Sequence, residues 1–432
     1  MRLFILTTAA VMYVLVVAFP HRKAAMSLSA SALILGAGLL FPGPGAVSIS
    51  RAFLEFVNWT ILGIYIGSLI IADLFIYSRV PAALADRVVA KSPTLGIAIV
   101  AILVLTGLIS AFVENVATVL LMAPIALTLC RRLNVQPAPF LIGLAVMANL
   151  QGTATLVGDS PSMIFASFAG YGFNDFFFMD GRPSIFFAVQ AGAVTGALYF
   201  FLFFRKLGKV RVDLPAERII SWFPLGLLIS MISGLALISF LSGRGLTPAS
   251  GMYCLSLGAA GLVWFRLVRK EPAARVQDLI RRLDWETILF LAGVFIVVGS
   301  IAGTGVLDDL ASWLGAVIGG RAALGFVAIV GISVLVSGFV DNVPYITVML
   351  PVAGKLSAAY GLEGEFLMFG LLVGSCLGGN LTPFGASANI AAVGLVKKAG
   401  GHVGFFEWLR IAGPFTFLTT VVSSLFIYLV WG

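Results

Sequence analysis

Of 432 residues, 60% are hydrophobic and 11% charged, and the mean hydropathy is +1.07. Soluble proteins carry roughly 25% charged residues, so this chain cannot cover a water-facing surface; it is a membrane protein without a sizeable soluble domain. Its net charge of +8, from 27 basic and 19 acidic residues, does not point to nucleic acid, because the basic residues stand in short loops between apolar runs, where they set orientation.

Met1-Arg2 and the apolar run to Phe19 resemble a signal peptide, but no small-x-small cleavage site precedes His21-Arg22-Lys23 and a second apolar run follows at once. This predicts a retained first span. Further apolar spans are expected near 24–41, 57–78, 184–204, 221–241, 248–265, 286–303 and 410–431. The three cysteines, Cys130, Cys254 and Cys376, are far apart in apolar segments, and the two histidines, His21 and His402, fall in loops. Neither set has metal-ligand or disulfide spacing.

The chain repeats itself. Asn58-Trp59 is answered by Asp284-Trp285, 226 residues later. The run SAFVENVATVLLMAP (110–124) is answered by SGFVDNVPYITVMLP (337–351), and GTATLVGDSPS (152–162) by GNLTPFGASAN (379–389), both 227 later. The first repeat is assigned to 1–204, a cytoplasmic linker to 205–220 and the second repeat to 221–432. Each copy contains three spans, two helical arms around a Glu-Asn or Asp-Asn turn (94–133; 322–359), a glycine-interrupted span (138–170; 365–397) and a last span. The expected fold is an all-α polytopic membrane protein with about ten transmembrane helices, two re-entrant helical hairpins and two broken helices. Each copy then crosses an odd number of times, so the two lie inverted in the bilayer, the arrangement common in secondary transporters. Threading the loops accordingly puts 21 of the 27 basic residues on one face. The positive-inside rule makes that face cytoplasmic and both termini external, in a cytoplasmic (inner) membrane. RVQDLIRRLD (275–284) reads as an interfacial amphipathic helix with Val276, Leu279, Ile280 and Leu283 on one face.

Of the acidic residues, only Asp73, Glu114, Asp159 and Asp341 fall within the apolar spans, and no lysine or arginine does. Carboxylates at membrane depth are costly and mark ion or proton pathways, so the expected core is acidic. At the hairpin tips, Glu114-Asn115 and Asp341-Asn342 supply oxygens able to replace the hydration shell of a small cation; the bland alternative is a pair of helix caps. The interrupted spans, with Asn149, Thr153, Thr155, Gly158 and Asp159 in one copy and Gly379, Asn380, Thr382, Gly385 and Asn389 in the other, supply unwound backbone, which survives at membrane depth only inside protein or along a cavity. The half-helices beginning near Ser160 and Ala386 aim their N-termini at that cavity. Sodium is expected at Asn115, Thr155, Asn342 and Thr382. No cofactor is expected beyond sodium or protons as the coupling ion.

At these residues the chain resembles the ion-transporter superfamily, in particular the branch of arsenite permeases, NhaD-type sodium/proton antiporters and the melanosomal P protein; the sodium-coupled citrate and dicarboxylate symporters are more distant. The resemblance runs through Asp-Trp-Glu-Thr (284–287), Asp-Asn-Val (341–343), Asn149-Leu150-Gln151-Gly152 and GGNLTPFGASANI (378–390). It implies a homodimer built on a scaffold domain, a mobile transport domain holding the hairpins and broken helices, and elevator-type alternating access. Gln151 departs from the glycine usual there, and Ser160 and Ser162 depart from proline and asparagine.

The function expected is therefore not enzymatic. It is a secondary active transporter in the lipid bilayer, coupling protons or sodium to a small ion or solute, with an antiporter or efflux permease preferred because the core lacks a buried cation. The alternatives are a sodium-coupled anion symporter, a channel, and an intramembrane aspartyl protease. The protease motif is incomplete at Leu156, and the repeat partner of Asp159 is Ala386. No nucleotide-binding motif is present.

Overall fold

A computed structural model describes residues 1–43, 45–133, 135–207, 217–243, 245–318 and 321–432. Most of the expected linker, 208–216, lies outside the described residues. Those described form an all-helical polytopic membrane protein, with one short antiparallel ribbon, Phe178–Met179 with Arg182–Pro183. That ribbon turns through Asp180 and Gly181, both at positive φ, the backbone that an Asp-Gly hairpin favours.

The helices come in two matching series. The first is α1 (Arg2–Ala18), α2 (Lys23–Leu40), α3 (Ile49–Arg51), α4 (Trp59–Tyr77), α5 (Val80–Lys91), α6 (Leu95–Ser110), α7 (Asn115–Leu133), α8 (Ala138–Gly152), α9 (Ser160–Ala169) and α10 (Ile185–Phe204). The second is α11 (Phe223–Ser242), α12 (Pro248–Val263), α13 (Ala273–Arg282), α14 (Trp285–Ala302), α15 (Val306–Ile318), α16 (Ala322–Ser337), α17 (Asn342–Ala359), α18 (Gly364–Gly378), α19 (Ser387–Lys398) and α20 (Phe405–Trp431). Among the described residues eight helices are long and apolar enough to cross a membrane. The apolar helices α1, α6, α8 and α16 and the apolar part of α7, Asn115–Arg131, are shorter. Helices α5 and α15 connect the third span of each copy to its hairpin and are not among the apolar runs read from the sequence.

The two series interlock. Helix α2 packs along α14 and α4 along α12, while α10 packs against its own counterpart α20. Apolar helices gain nothing from leaving lipid for one another, so close contact depends on small residues. On α4, Gly63 and Gly67 lie against α12, where a Cβ on Gly63 would stand 3.1 Å from the Gly251 backbone and one on Gly67 would collide with Cys254. At the α2–α14 seam Ser27 lies against Gly293, and the Ser31 hydroxyl donates to the Gly293 carbonyl at 2.8 Å.

The hairpin arms α6 and α7 turn at 111–114, and α16 and α17 at 338–341. Helix α8 stops at Gly152 and resumes as α9 at Ser160; α18 passes through a single 3-10 turn, Gly379–Leu381, before α19 begins at Ser387. Glycine makes both breaks possible. A Cβ on Gly385 would approach the Gly379 carbonyl oxygen to 2.6 Å, and one on Gly158 would strike the Gly152 carbonyl, so each loop closes on itself through a matched glycine pair.

Candidate functional site

Four helix N-termini meet at the centre: α7 and α17 from the hairpins, α9 and α19 from the broken helices. A cavity of about 40 Å³ lies between them, lined by Glu114, Asn115, Asn149, Asp159, Asp341 and Asn342 of the expected residues, and by Lys23, Tyr65, Asp284 and Thr287 besides. It exceeds the ~10–15 Å³ needed for one water and suits an ion with few waters. On one side it adjoins a vestibule of about 740 Å³, which shares Lys23, Asp284, Thr287, Asp341, Ala386 and Ser387 and reaches out past His21.

Three of the four N-termini are capped by their own carboxylates, the arrangement a helix dipole favours. Glu114 Oε2 accepts from the Ala117 amide at 3.0 Å, Asp159 Oδ1 from the Ser162 amide at 2.9 Å and Asp341 Oδ1 from the Val343 amide at 3.0 Å. The fourth, α19, has Ala386 at its cap position and no side-chain cap. Asp159 is buried beside Thr153 and Cys376.

The remaining expected residues lie behind the cavity and hold it in shape. Asn149 Nδ2 donates to both Asn380 Oδ1 (2.8 Å) and Asn389 Oδ1 (2.9 Å). Asn389 in turn donates to the Gly379 and Thr382 carbonyls, and the Asn380 carbonyl accepts from the Trp408 indole at 2.8 Å. The arrangement is exchanged between copies: position 227 beyond Asn149 is Cys376, which adjoins Thr153 and Asp159 of the first broken helix as Asn149 adjoins Asn380 and Asn389 of the second. Asn115 Oδ1 accepts from the Ser110 hydroxyl at 2.7 Å and sits against Gly152, where a Cβ would collide with it. The Thr155 hydroxyl donates to the Ala111 carbonyl and the Thr382 hydroxyl to that of Gly338. Each ties its broken helix to the neighbouring hairpin, leaving only the oxygen lone pairs for a cation. Gln151 turns away from the cavity into a reciprocal amide pair with Gln190 of α10, at 3.0 and 2.8 Å.

The expectation of an acidic core free of lysine and arginine is wrong. Lys23 is buried and its ammonium is 3.2 Å from Asp341 Oδ2. Hydropathy assigns it to a loop because it follows His21-Arg22, but α1 has 17 residues and a length of about 26 Å at ~1.5 Å per residue, short of the ~30 Å hydrocarbon core. The first residue of α2 is thereby drawn inward. Asp284, visible in the sequence as a repeat landmark and in the Asp-Trp-Glu-Thr motif but not as a site residue, caps α14 through the Thr287 amide at 3.0 Å and receives the Tyr65 hydroxyl at 3.3 Å. Asp73 lies in α4, outside the lining of the cavity.

A second crevice, about 840 Å³, opens between the start of α4 and the later turns of α9, α14 and α17. Glu114, Asp159 and Asp341 all line the central cavity, and none lines this crevice.

Comparison with known proteins agrees with this architecture. The profile of the CitMHS citrate transporter family matches residues 13–374. An uncharacterized transporter of Mycobacterium tuberculosis is 31% identical over 431 residues, covering 96% of each chain. The human P protein is 22% identical over 496 residues, covering 94% of this chain and 57% of that protein. The crystal structure of the Alcanivorax borkumensis YdaH transporter shares the fold, with a TM-score of 0.62 over 94% of this chain and 98% of that one at 14% identity.

Proposed function

The chain belongs to the citrate transporter family, and on that premise we propose that this multi-pass membrane transporter is a secondary active one, coupling proton or sodium movement to the passage of a small ion or solute as an antiporter or efflux permease. The observation that carries the reading is the carboxylate-lined cavity, which among the described residues shares lining with the His21 vestibule and none with the second crevice. Alternating access needs such a site, open toward one side at a time. In the proposed orientation the copies are inverted, both termini are external, the membrane is the cytoplasmic one, and the vestibule faces the cytoplasm. The hairpins and broken helices then form the body that moves in an elevator cycle against a scaffold that pairs with a second copy. Glu114, Asn115 and Asn342 meet the coupling ion, with Asp341 beside the Lys23 ammonium.

One observation favours a second reading, symport of a carboxylate with sodium. Lys23 and the uncapped start of α19 stand beside a vestibule of about 740 Å³, where an anion meets both a cation and free amide groups. Proteoliposome flux with sodium, arsenite, antimonite and citrate under imposed pH gradients separates the two. Exchange of sodium or arsenite against protons supports antiport, and sodium-dependent citrate uptake supports symport. Equal dissipation of every gradient, with no coupling, would make the protein a channel and defeat both.

A further inference from the structure

The two hairpin tips are related by the sequence repeat, yet among the described residues only one forms an ion pair. Asp341 pairs with Lys23, whose side chain is 9% exposed against 24% for Asp341. The lysine is held in place: the next residue's amide donates to Glu286 Oε1 at 2.9 Å, and the ammonium lies 5.7 Å from the centre of the Phe290 ring. At the other tip Glu114 has no ion pair among the described residues and accepts from the amides of its own helix, that of Ala117 at 3.0 Å. Repeat offsets of 226 and 227 put Ala249 and Ser250 opposite Lys23, so the first copy's carboxylate has no equivalent lysine. The other titratable groups around the cavity and its mouth are Asp284 and Glu286 from α14, Tyr65 from α4, Asp159 from the first broken helix and His21.

We propose that Lys23 is a tethered cation occupying the Asp341 site, so that of the two repeat-related carboxylates Glu114 alone exchanges its proton or sodium ion with solution. A buried carboxylate keeps its charge where a cation is already beside it, whereas one without a partner must bind a proton or a metal ion to remain there. The proposal deepens the coupled-transport reading by assigning the exchangeable ion to one half of a duplicated site and a fixed charge to the other. Removing either partner of the fixed pair leaves the other charge buried alone, and removing both does not.

The test is thermal unfolding of the purified full chain in detergent, with sodium chloride titrated against choline chloride from acid to alkaline pH. A ligand that binds only the folded state raises Tm as it is added. Wild type should show a sodium- or pH-linked shift that is lost in Glu114→Gln, a variant that keeps the capping oxygen. Lys23→Gln and Asp341→Asn alone should each lower Tm, and the double variant should recover most of that loss while retaining the linked shift. A shift that survives Glu114→Gln, disappears in the double variant, or is absent from wild type would overturn the assignment. Proteoliposome flux is read separately: a linked shift without coupled flux would remove the transport reading and leave this one standing.

Discussion

Thr155 and Thr382, 227 residues apart, do the same work: the hydroxyl of each donates a hydrogen bond to a carbonyl of the hairpin next to it, at Ala111 and Gly338. A buried hydrogen bond of this kind contributes about 1 kcal/mol net, and an orphaned buried acceptor costs about 1–3 kcal/mol. Thr→Val at either position keeps the shape and leaves the carbonyl unpaired, so Tm should fall by a similar step at both sites, while Thr→Ser should recover most of it. A loss confined to one site would show that the two breaks are not equivalent.

Asn149 should be the least replaceable amide. Its single NH₂ group serves Asn380 and Asn389 together, and Asn149→Ala would orphan two buried acceptors at about 1–3 kcal/mol each. Substantial loss of folded protein is expected, measured by monodispersity on size exclusion and by Tm. Asn115→Ala and Asn342→Ala, at the cavity, should instead fold and lose transport, because a neutral amide oxygen at a hairpin tip has no substitute in alanine.

The glycine pairs give a test based on shape alone. Gly152→Ala would drive a methyl group into the Asn115 amide, and Gly385→Ala would bring one within 2.6 Å of the Gly379 carbonyl; both should abolish transport in proteoliposomes. Gly394→Ala, with nothing within 4 Å, should be tolerated, and helix propensity favours it by about 0.5–1 kcal/mol.

Gln151 and Gln190 form a closed amide pair outside the cavity. Replacing one with leucine should destabilise by about 1–3 kcal/mol, and replacing both should be nearly neutral. A double-mutant cycle on Tm measures the coupling, and an additive result would mean that the pair contributes nothing.

Orientation can be tested by single cysteines, since all three native thiols are buried. Lys206→Cys and Gln277→Cys should react with an impermeant maleimide only from the cytoplasmic face, and Ser50→Cys and Ser242→Cys only from outside. Labelling of both pairs from one face would defeat the proposed inversion.

The hairpin turns were legible because polar residues recur in register within apolar runs, which hydrophobicity alone does not produce. Lys23 was not legible. Its sequence neighbours are loop residues, and what draws it inward is the shortness of α1 together with the packing of α2 on α14, a contact between segments 262 residues apart at Ala24 and Glu286. Asp284 was hidden for a related reason: as the cap of α14 it stands at the edge of an apolar run, and only the fold brings that edge to the cavity beside Tyr65. Helices α5 and α15 escaped because α5 carries Asp86, Arg87 and Lys91 and α15 carries Asp308 and Asp309, which break the apolar signal that marks a span.

Interlocking also sets an order on biosynthesis. Helix α4 begins at residue 59 and its glycine-seamed partner α12 at residue 248, so α4 enters the membrane 189 residues ahead of the surface it will pack on. Thirteen of its nineteen residues end up buried, and until α12 arrives they must be covered by lipid or by an insertion factor. The helix carries a mean hydropathy of 1.9, which lets it wait there. A first copy produced alone should insert and then remain open along this seam, recruiting a second copy supplied as a separate polypeptide.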